Sequence, residues 1–392
     1  MGLDLIKKEY IYHSLNKIYL KNAFALLLLL FINSSFSQEL PPINFFTPKE
    51  YKAENQNWSI SQGLDKNIYI ANNIGLLEFN GARWKLYPSP NETILRSVKA
   101  IGEKIYSGSY MDFGYWKKNN FGILAYTSLS KELDIKLIED EQFWDIIEID
   151  NWILFQSLNR IYVLNSTDNS LQIIAAKTLI TKMYAVGGSV YFQNENEGIY
   201  KIDNGKSILV TNDQLIKNST VINIFIKDDF LLLETQEKGF YKLDKGKLIA
   251  WNISSNKLLS EVIVYNSIQL SDGSFLLGTI SDGIIYLNSN GDLNYHINQN
   301  NGLGNNTVLS LFEDIDKNIW LGLDNGINYV EMNSPFKIYH DRSGELGSIY
   351  AMQIFDNKLY LGTNQGLFYK EINSKTDFKL IAGTEGQVWS LV

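Results

Sequence analysis

The chain has 392 residues, with 35 Lys and Arg against 43 Asp and Glu, and no cysteine. A formal net charge of −8 without any basic cluster argues against an electrostatic grip on nucleic acid or on an anionic membrane surface, both of which need gathered Lys and Arg. The missing cysteines exclude a disulfide framework, a thiolate nucleophile and a Cys-ligated zinc.

The N-terminus comes first. Lys7, Lys8, Lys17 and Lys21 precede an unbroken apolar run from Ala23 to Ile32, and "NSSFSQ" follows. Basic, apolar and small residues in that order predict a signal peptide over 1–37, cut before Gln38, and export. The run is far shorter than the roughly 20 residues that span a bilayer, so an uncleaved anchor is the weaker reading. What remains is long enough to bury a core without covalent staples. Its 8 Trp, 23 Tyr and 20 Phe beside only 6 Pro favour pleated, half-buried β structure.

From residue 57 onward one short signature keeps returning. A glycine followed by apolar and aromatic residues occurs as "NIGLLEF" (Gly75), "DFGYWK" (Gly114), "NEGIYKI" (Gly198), "EKGFYKL" (Gly239), "SDGIIYL" (Gly283), "NGINYV" (Gly326) and "NQGLFYK" (Gly366). One further unit, "LNRIYVL", places Arg160 where the glycine stands. A spacing of about 40 residues is the period of propeller blades. Within one unit, "TVLSLFED" (307–314), "IWLGLD", "INYVEM" and "FKIYHD" (336–341) read as four strands, with Asn325-Gly326 turning the middle pair. Asn-Gly and Asp-Gly are hairpin signals because both central residues of such a turn take positive φ. A lone hairpin is marginal in water, whereas four-stranded sheets stacked about an axis bury both faces and leave only short edges. The expected fold is therefore an all-β propeller of four-stranded blades. The gathered turn glycines are its structural markers, and no amphipathic helix competes.

These residues resemble the two-component regulator propeller family. The stretch "VLSLFEDIDKNIWLGLDNGINYV" (308–330) follows its repeat closely, and "LGTNQGL" (361–367) and "LGTISDGI" (277–284) keep its Gly-Thr pair. The opening "YKAENQNWSISQGLDKNIYIANNIGLLEFNGARWKLYPSP" and the later "YSGSYMDFGYWKKN" are similar to the triple-tyrosine branch of bacterial regulators. The resemblance implies seven blades per ring. That gives a lead-in at 38–56, a propeller over 57–340 and the incomplete start of a second at 341–392, with a single eight-bladed ring over 57–380 as the alternative. It also implies a periplasmic, non-catalytic ligand-sensing region of a signal-transduction or transcription regulator, with extracellular glycans or related nutrients as signals. The β-sandwich, membrane helix and kinase or helix-turn-helix that follow in the branch do not occur in this sequence. Output is therefore expected from a partner protein or from further domains.

The chemistry-bearing residues are few. Asp314-Ile-Asp316-Lys-Asn318 copies the opening of a calcium loop, but Ile319 and Asn325 stand where Gly and Glu are needed. The same place in other units reads as a turn. His296 and His340 lack the neighbours of a metal site or triad, so no metal, cofactor or catalytic set is expected. Aligning the units on their glycines places Trp58, Trp144, Tyr184, Tyr265, Tyr350 and Trp389 at one position of the innermost strand, with Leu95, Ile222 and Leu309 in the others. These rings form the candidate ligand site, rimming the channel mouth and stacking on a sugar. Packing between neighbouring blades explains the same spacing without a ligand, and burial is what large aromatics chiefly do. "YMDFGYW" (110–116) is a second aromatic cluster open to both readings. Against the sensor stand a protein-binding scaffold, which needs an exposed apolar patch, and a propeller lyase or glycosidase, which needs converging His, carboxylate and Arg.

Overall fold

The structure, a computed structural model, describes residues 39–392 apart from positions 340, 342, 343, 373 and 375. The expected signal peptide at 1–37 and His340 lie outside the described residues. Within them the chain forms eight four-stranded antiparallel sheets, the architecture of a β-propeller. Seven innermost strands define blades 1 to 7: Asn57–Gln62, Leu95–Ile101, Asp145–Ile149, Ile180–Val186, Val221–Lys227, Val264–Gln269 and Val308–Glu313. Each packs against the next, and the last packs against the first, so the ring closes after seven sheets. The single eight-bladed ring is therefore not the arrangement.

Closure uses the far end of the chain. Blade 7 takes three strands from the 308–330 segment, and its outermost strand is Ile43–Phe46, paired from Ile43↔Val330 to Phe46↔Ile327. The fourth strand expected at 336–341 is not there; in that segment Ile338 makes only an isolated bridge to Leu40. The lead-in is thus part of the ring. A strand borrowed from the opposite terminus joins first and last blades by ladder hydrogen bonds and covers an edge that would otherwise be open. Residues 40–338 form this compact unit. A second unit, Tyr339–Val392 with Glu39, carries the eighth sheet, which begins at Ile349–Phe355.

The second strand of a blade is buried on both faces: every residue of Ile68–Asn72, Phe275–Thr279 and Ile319–Leu323 is buried. That double burial explains their near-continuous apolar sequence. It also explains the glycine inside the strand. A Cβ on Gly322 would lie 2.1 Å from Ser310 Oγ and 2.4 Å from the Asn57 carbonyl oxygen of the neighbouring blade. One on Gly278 would meet Val308 at 2.8 Å. Only glycine allows the blades to approach this closely.

The following threonine has a separate task. Thr279 Oγ1 donates to the Gly283 carbonyl at 2.9 Å and accepts the Asp282 N–H at 2.8 Å, and Thr235 and Thr363 tie their turns in the same way. Gly283 and Gly326 take φ of +74° and +99°, while Asp282 and Asn325 do not enter the positive-φ region. The turns therefore differ from the paired positive-φ form that Asn-Gly suggests: the threonine hydroxyl, where present, supplies part of the turn.

Candidate functional site

Six of the seven innermost strands share one irregularity. In blade 1 the ladder passes from Asn57↔Asn72 to Ser59↔Ala71 and leaves Trp58 without an opposite residue. The same step leaves Arg96 in blade 2, Ile222 in blade 5, Tyr265 in blade 6 and Leu309 in blade 7. In blade 4 it spans Thr181 and Lys182. In blade 3 Trp144 precedes the strand and its backbone N–H donates to the Gln156 carbonyl at 2.8 Å. A bulge re-aims its side chain away from the ladder. In blades 1, 2 and 6 this turns Trp58, Arg96 and Tyr265 toward the end of the channel where the innermost strands begin, whereas Ile222 of blade 5 packs in the core with Phe225, Val264 and Phe275.

Three of these meet closely. The Arg96 guanidinium lies 4.2 Å from the Trp58 ring centroid and 4.5 Å from that of Trp144. The two indoles stand edge to face at 6.3 Å and 84°. Trp58 and Trp144 belong to blades 1 and 3, so they meet across the blade that supplies the arginine. Arg96 Nε donates to Gln142 Oε1 at 3.1 Å, and Trp58 Nε1 donates to Asn73 Oδ1 at 2.8 Å. Burial lowers the pKa of Arg96, with the Tyr265 side chain of blade 6 acting the other way. Burial raises that of Tyr265 in turn, and Arg96 opposes it.

The next residues along the strands form a polar girdle. Ser97 Oγ donates to the Phe143 carbonyl at 2.9 Å, Asn223 Nδ2 to that of Ser267 at 2.6 Å, and Ser310 Oγ to that of Asn57 at 3.0 Å. Each bond joins a blade to its successor. Lys182 Nζ reaches Asn266 Oδ1 at 3.1 Å. Burial pushes the Glu234 carboxyl up to about 8, against a hydrogen bond from Ser267 and the nearby Lys182 charge. Burial also raises the Asp145 carboxyl and lowers Lys182.

The six sequence candidates separate cleanly. Trp58, Trp144 and Tyr265 lie at the mouth. Tyr184 does not: it is 2 % exposed, packs in the core between blades 4 and 5, and its hydroxyl donates to the Val221 carbonyl at 2.7 Å. Tyr350 and Trp389 belong to the second unit, where their rings stack at 4.3 Å and 14°. Leu95 is core, and the mouth residue of blade 2 is its neighbour Arg96, which the glycine alignment missed. Nothing in the sequence marks which residue takes the bulge, so the glycine alignment landed one residue off in this blade.

The remaining candidates are structural. Phe113 and Trp116 of the second aromatic cluster are buried, Phe113 against Phe143 and Phe155 at 4.7 and 4.4 Å. Asp314 is a turn residue, accepting the Asn318 N–H at 2.9 Å and the Trp320 indole N–H at 3.1 Å. His296 sits on an outer strand with Nε2 2.8 Å from the Asp282 carbonyl oxygen. No group of three or more potential metal ligands occurs among the described residues. A cavity of about 310 Å³ opens between the Gly63–Asp65 and Gly102–Glu103 turns. Its Lys118 is already committed to Asp65 at 2.6 Å and Glu78 at 3.0 Å.

No protein-family model matches the sequence, and no curated protein matches it. Solved structures do. The extracellular domain of the putative hybrid two-component system BT3049 from B. thetaiotaomicron is 17% identical, with a TM-score of 0.63 over 88% of this chain and 50% of that one. The corresponding domain of BT4673 from B. thetaiotaomicron is 16% identical, with a TM-score of 0.58 over 90% and 49%. A streptogramin B lyase is 14% identical, with a TM-score of 0.58 over 78% of this chain and all of that one. The chain spans about half the length of the first two. At these identities the likeness establishes the propeller fold.

Proposed function

We propose that this chain is the ligand-sensing propeller region of a bacterial signal-transduction regulator, exported from the cytoplasm and without catalysis of its own. The observation that carries the reading is the bulged ring at the channel mouth, with Arg96 held between Trp58 and Trp144. Few polar groups set among aromatic faces are the usual lining of a small-molecule site. The sequence signature of the two-component regulator propeller family, and its triple-tyrosine branch, fits this role. So does the fold shared with extracellular domains of two hybrid two-component systems. The leader-like first 37 residues fit export, and no helix among the described residues is long and apolar enough to cross a membrane. A glycan or related nutrient is the expected ligand class, because indole faces stack on sugar rings. Ligand then shifts the balance between two arrangements of the propeller and its partner domains by its difference in affinity for them.

A thermal-shift screen of soluble neutral and acidic saccharides against the protein tests this. A hit raises the melting temperature, and the Trp58→Ala/Trp144→Ala double variant abolishes that rise. The reading fails if no saccharide shifts the protein or if every hit survives the double substitution. A protein-binding scaffold is the second reading, favoured by one observation: the strand Ile349–Phe355 leaves Met352, Ile354 and Phe355 each at least 65 % exposed. A patch of that kind marks an interaction surface.

A further inference from the structure

Two nitrogens at the channel mouth have no acceptor: Arg96 Nη1 and Trp144 Nε1 are covered from water and make no hydrogen bond. Arg96 also has no carboxylate within ion-pair distance among the described residues. Its one polar side-chain partner is the neutral amide of Gln142. In a chain of net charge −8, a half-buried guanidinium without a counter-ion is out of keeping with its surroundings. Leaving a buried donor unsatisfied is unfavourable, more so for a charged one. The two donors lie on the same pair of stacked groups, with the guanidinium 4.5 Å from the indole that carries the second nitrogen. What would satisfy both at once is an anionic acceptor with two oxygens, and a carboxylate fits the planar guanidinium in that way.

We propose that the channel mouth recognises a ligand in which a carboxylate is carried on a ring, as in a uronic acid. The carboxylate is received by Arg96 Nη1 and Trp144 Nε1, and the ring stacks on an indole. The inference rests on the sensing role proposed above and specifies its ligand class. Because both donors are covered, the acceptor reaches them only by displacing one of the covering rings. Binding therefore moves a tryptophan, which supplies a structural change at the site of recognition.

D-Glucuronate, D-glucose and acetate are the probes, titrated against the full chain by intrinsic tryptophan fluorescence and followed by the indole N–H resonances, with Trp144 assigned through Trp144→Phe. Glucuronate is expected to change the fluorescence and shift the Trp144 indole signal, and to bind at least about tenfold more tightly than either other probe. Arg96→Met is expected to lose that preference while keeping or raising the melting temperature, since it removes an uncompensated buried charge. Arg96→Lys is expected to recover part of it. Glucose binding as tightly as glucuronate would overturn the carboxylate assignment and leave the sensing role standing. Glucuronate binding unchanged in Arg96→Met, or absent altogether, would overturn the assignment too, while the saccharide screen judges the sensing role separately. A large fall in melting temperature for Arg96→Met would make the arginine a packing residue and overturn the proposal as well.

Discussion

Gly322 and Tyr184 show how single residues in this ring answer to the neighbouring blade rather than to their own. Any side chain on Gly322 collides with Ser310 and with the Asn57 backbone. Gly322→Val is therefore expected to force blades 7 and 1 apart. The loss of about 1–3 kcal/mol that overpacking brings would be read as a lower urea midpoint at unchanged slope. Tyr184→Phe removes only a hydroxyl, but it leaves the buried Val221 carbonyl without that donor. About 1–3 kcal/mol of stability should go with it, and ligand response at the mouth should stay intact. An equal loss of binding would return Tyr184 to the site. Both residues were visible in the sequence as types, a strand glycine and a repeat-aligned aromatic, yet the Val221 that Tyr184 meets lies a blade away and the Asn57 that Gly322 meets lies about 265 positions away along the chain.

At the scale of an element, the strand Ile43–Phe46 stands out because it lies so far along the chain from the sheet it completes. Phe46 sets its ring 5.4 Å from Phe79, 5.3 Å from Trp84 and 6.1 Å from Trp320, bridging blades 7 and 1. Phe46→Ala should cost on the order of 2–4 kcal/mol through the cavity it leaves. Unlike an equal loss inside a single blade, it should make the ring open first at this seam, detected as early proteolysis near residues 40–50. If cleavage begins elsewhere, the borrowed strand is not the closing latch. The turn that follows each second strand offers a smaller test. Thr279→Val removes a hydroxyl engaged on both sides of its turn and is expected to cost about 1 kcal/mol.

At the scale of the whole molecule, charge inside the ring ties stability to pH. The Glu234 carboxyl rises from 4.5 to about 8 on folding, so between those values the folded chain holds a proton that the unfolded chain has released. Stability is then full below the lower value and falls as pH rises through the upper one. Asp145 is raised as well and adds in the same direction, while Lys182, lowered by burial, acts against it. The melting temperature should therefore drop between pH 5.5 and pH 8.5, and Glu234→Gln should flatten the profile; an equally steep profile in that variant would assign the effect to other groups. The second unit makes a separate prediction. Replacing Met352 and Phe355 by Ser should reduce self-association in sedimentation, since both are about 70 % exposed (Met352 70 %, Phe355 68 %) on one strand.

The sequence alone determined the kind of object. Apolar and aromatic strands punctuated by glycine at a blade-length period leave few ways to bury both faces of every sheet, and the Gly-Thr pair encodes close packing and turn closure locally. The periodic signal is strong because each blade states it again. Only the tertiary structure decided where the ring closes and which side chains reach the channel. Closure joins residues some 290 positions apart in the register of Ile43 with Val330, and no local pattern announces such a pairing. The mouth depends on a one-residue bulge, and a shift of one residue turns a side chain to the opposite face. That is why Arg96 stood hidden beside Leu95; Tyr184 lies past the bulge of its own blade, back in the ladder opposite Tyr191, and faces the core, while Trp58, Trp144 and Tyr265 met at the entrance.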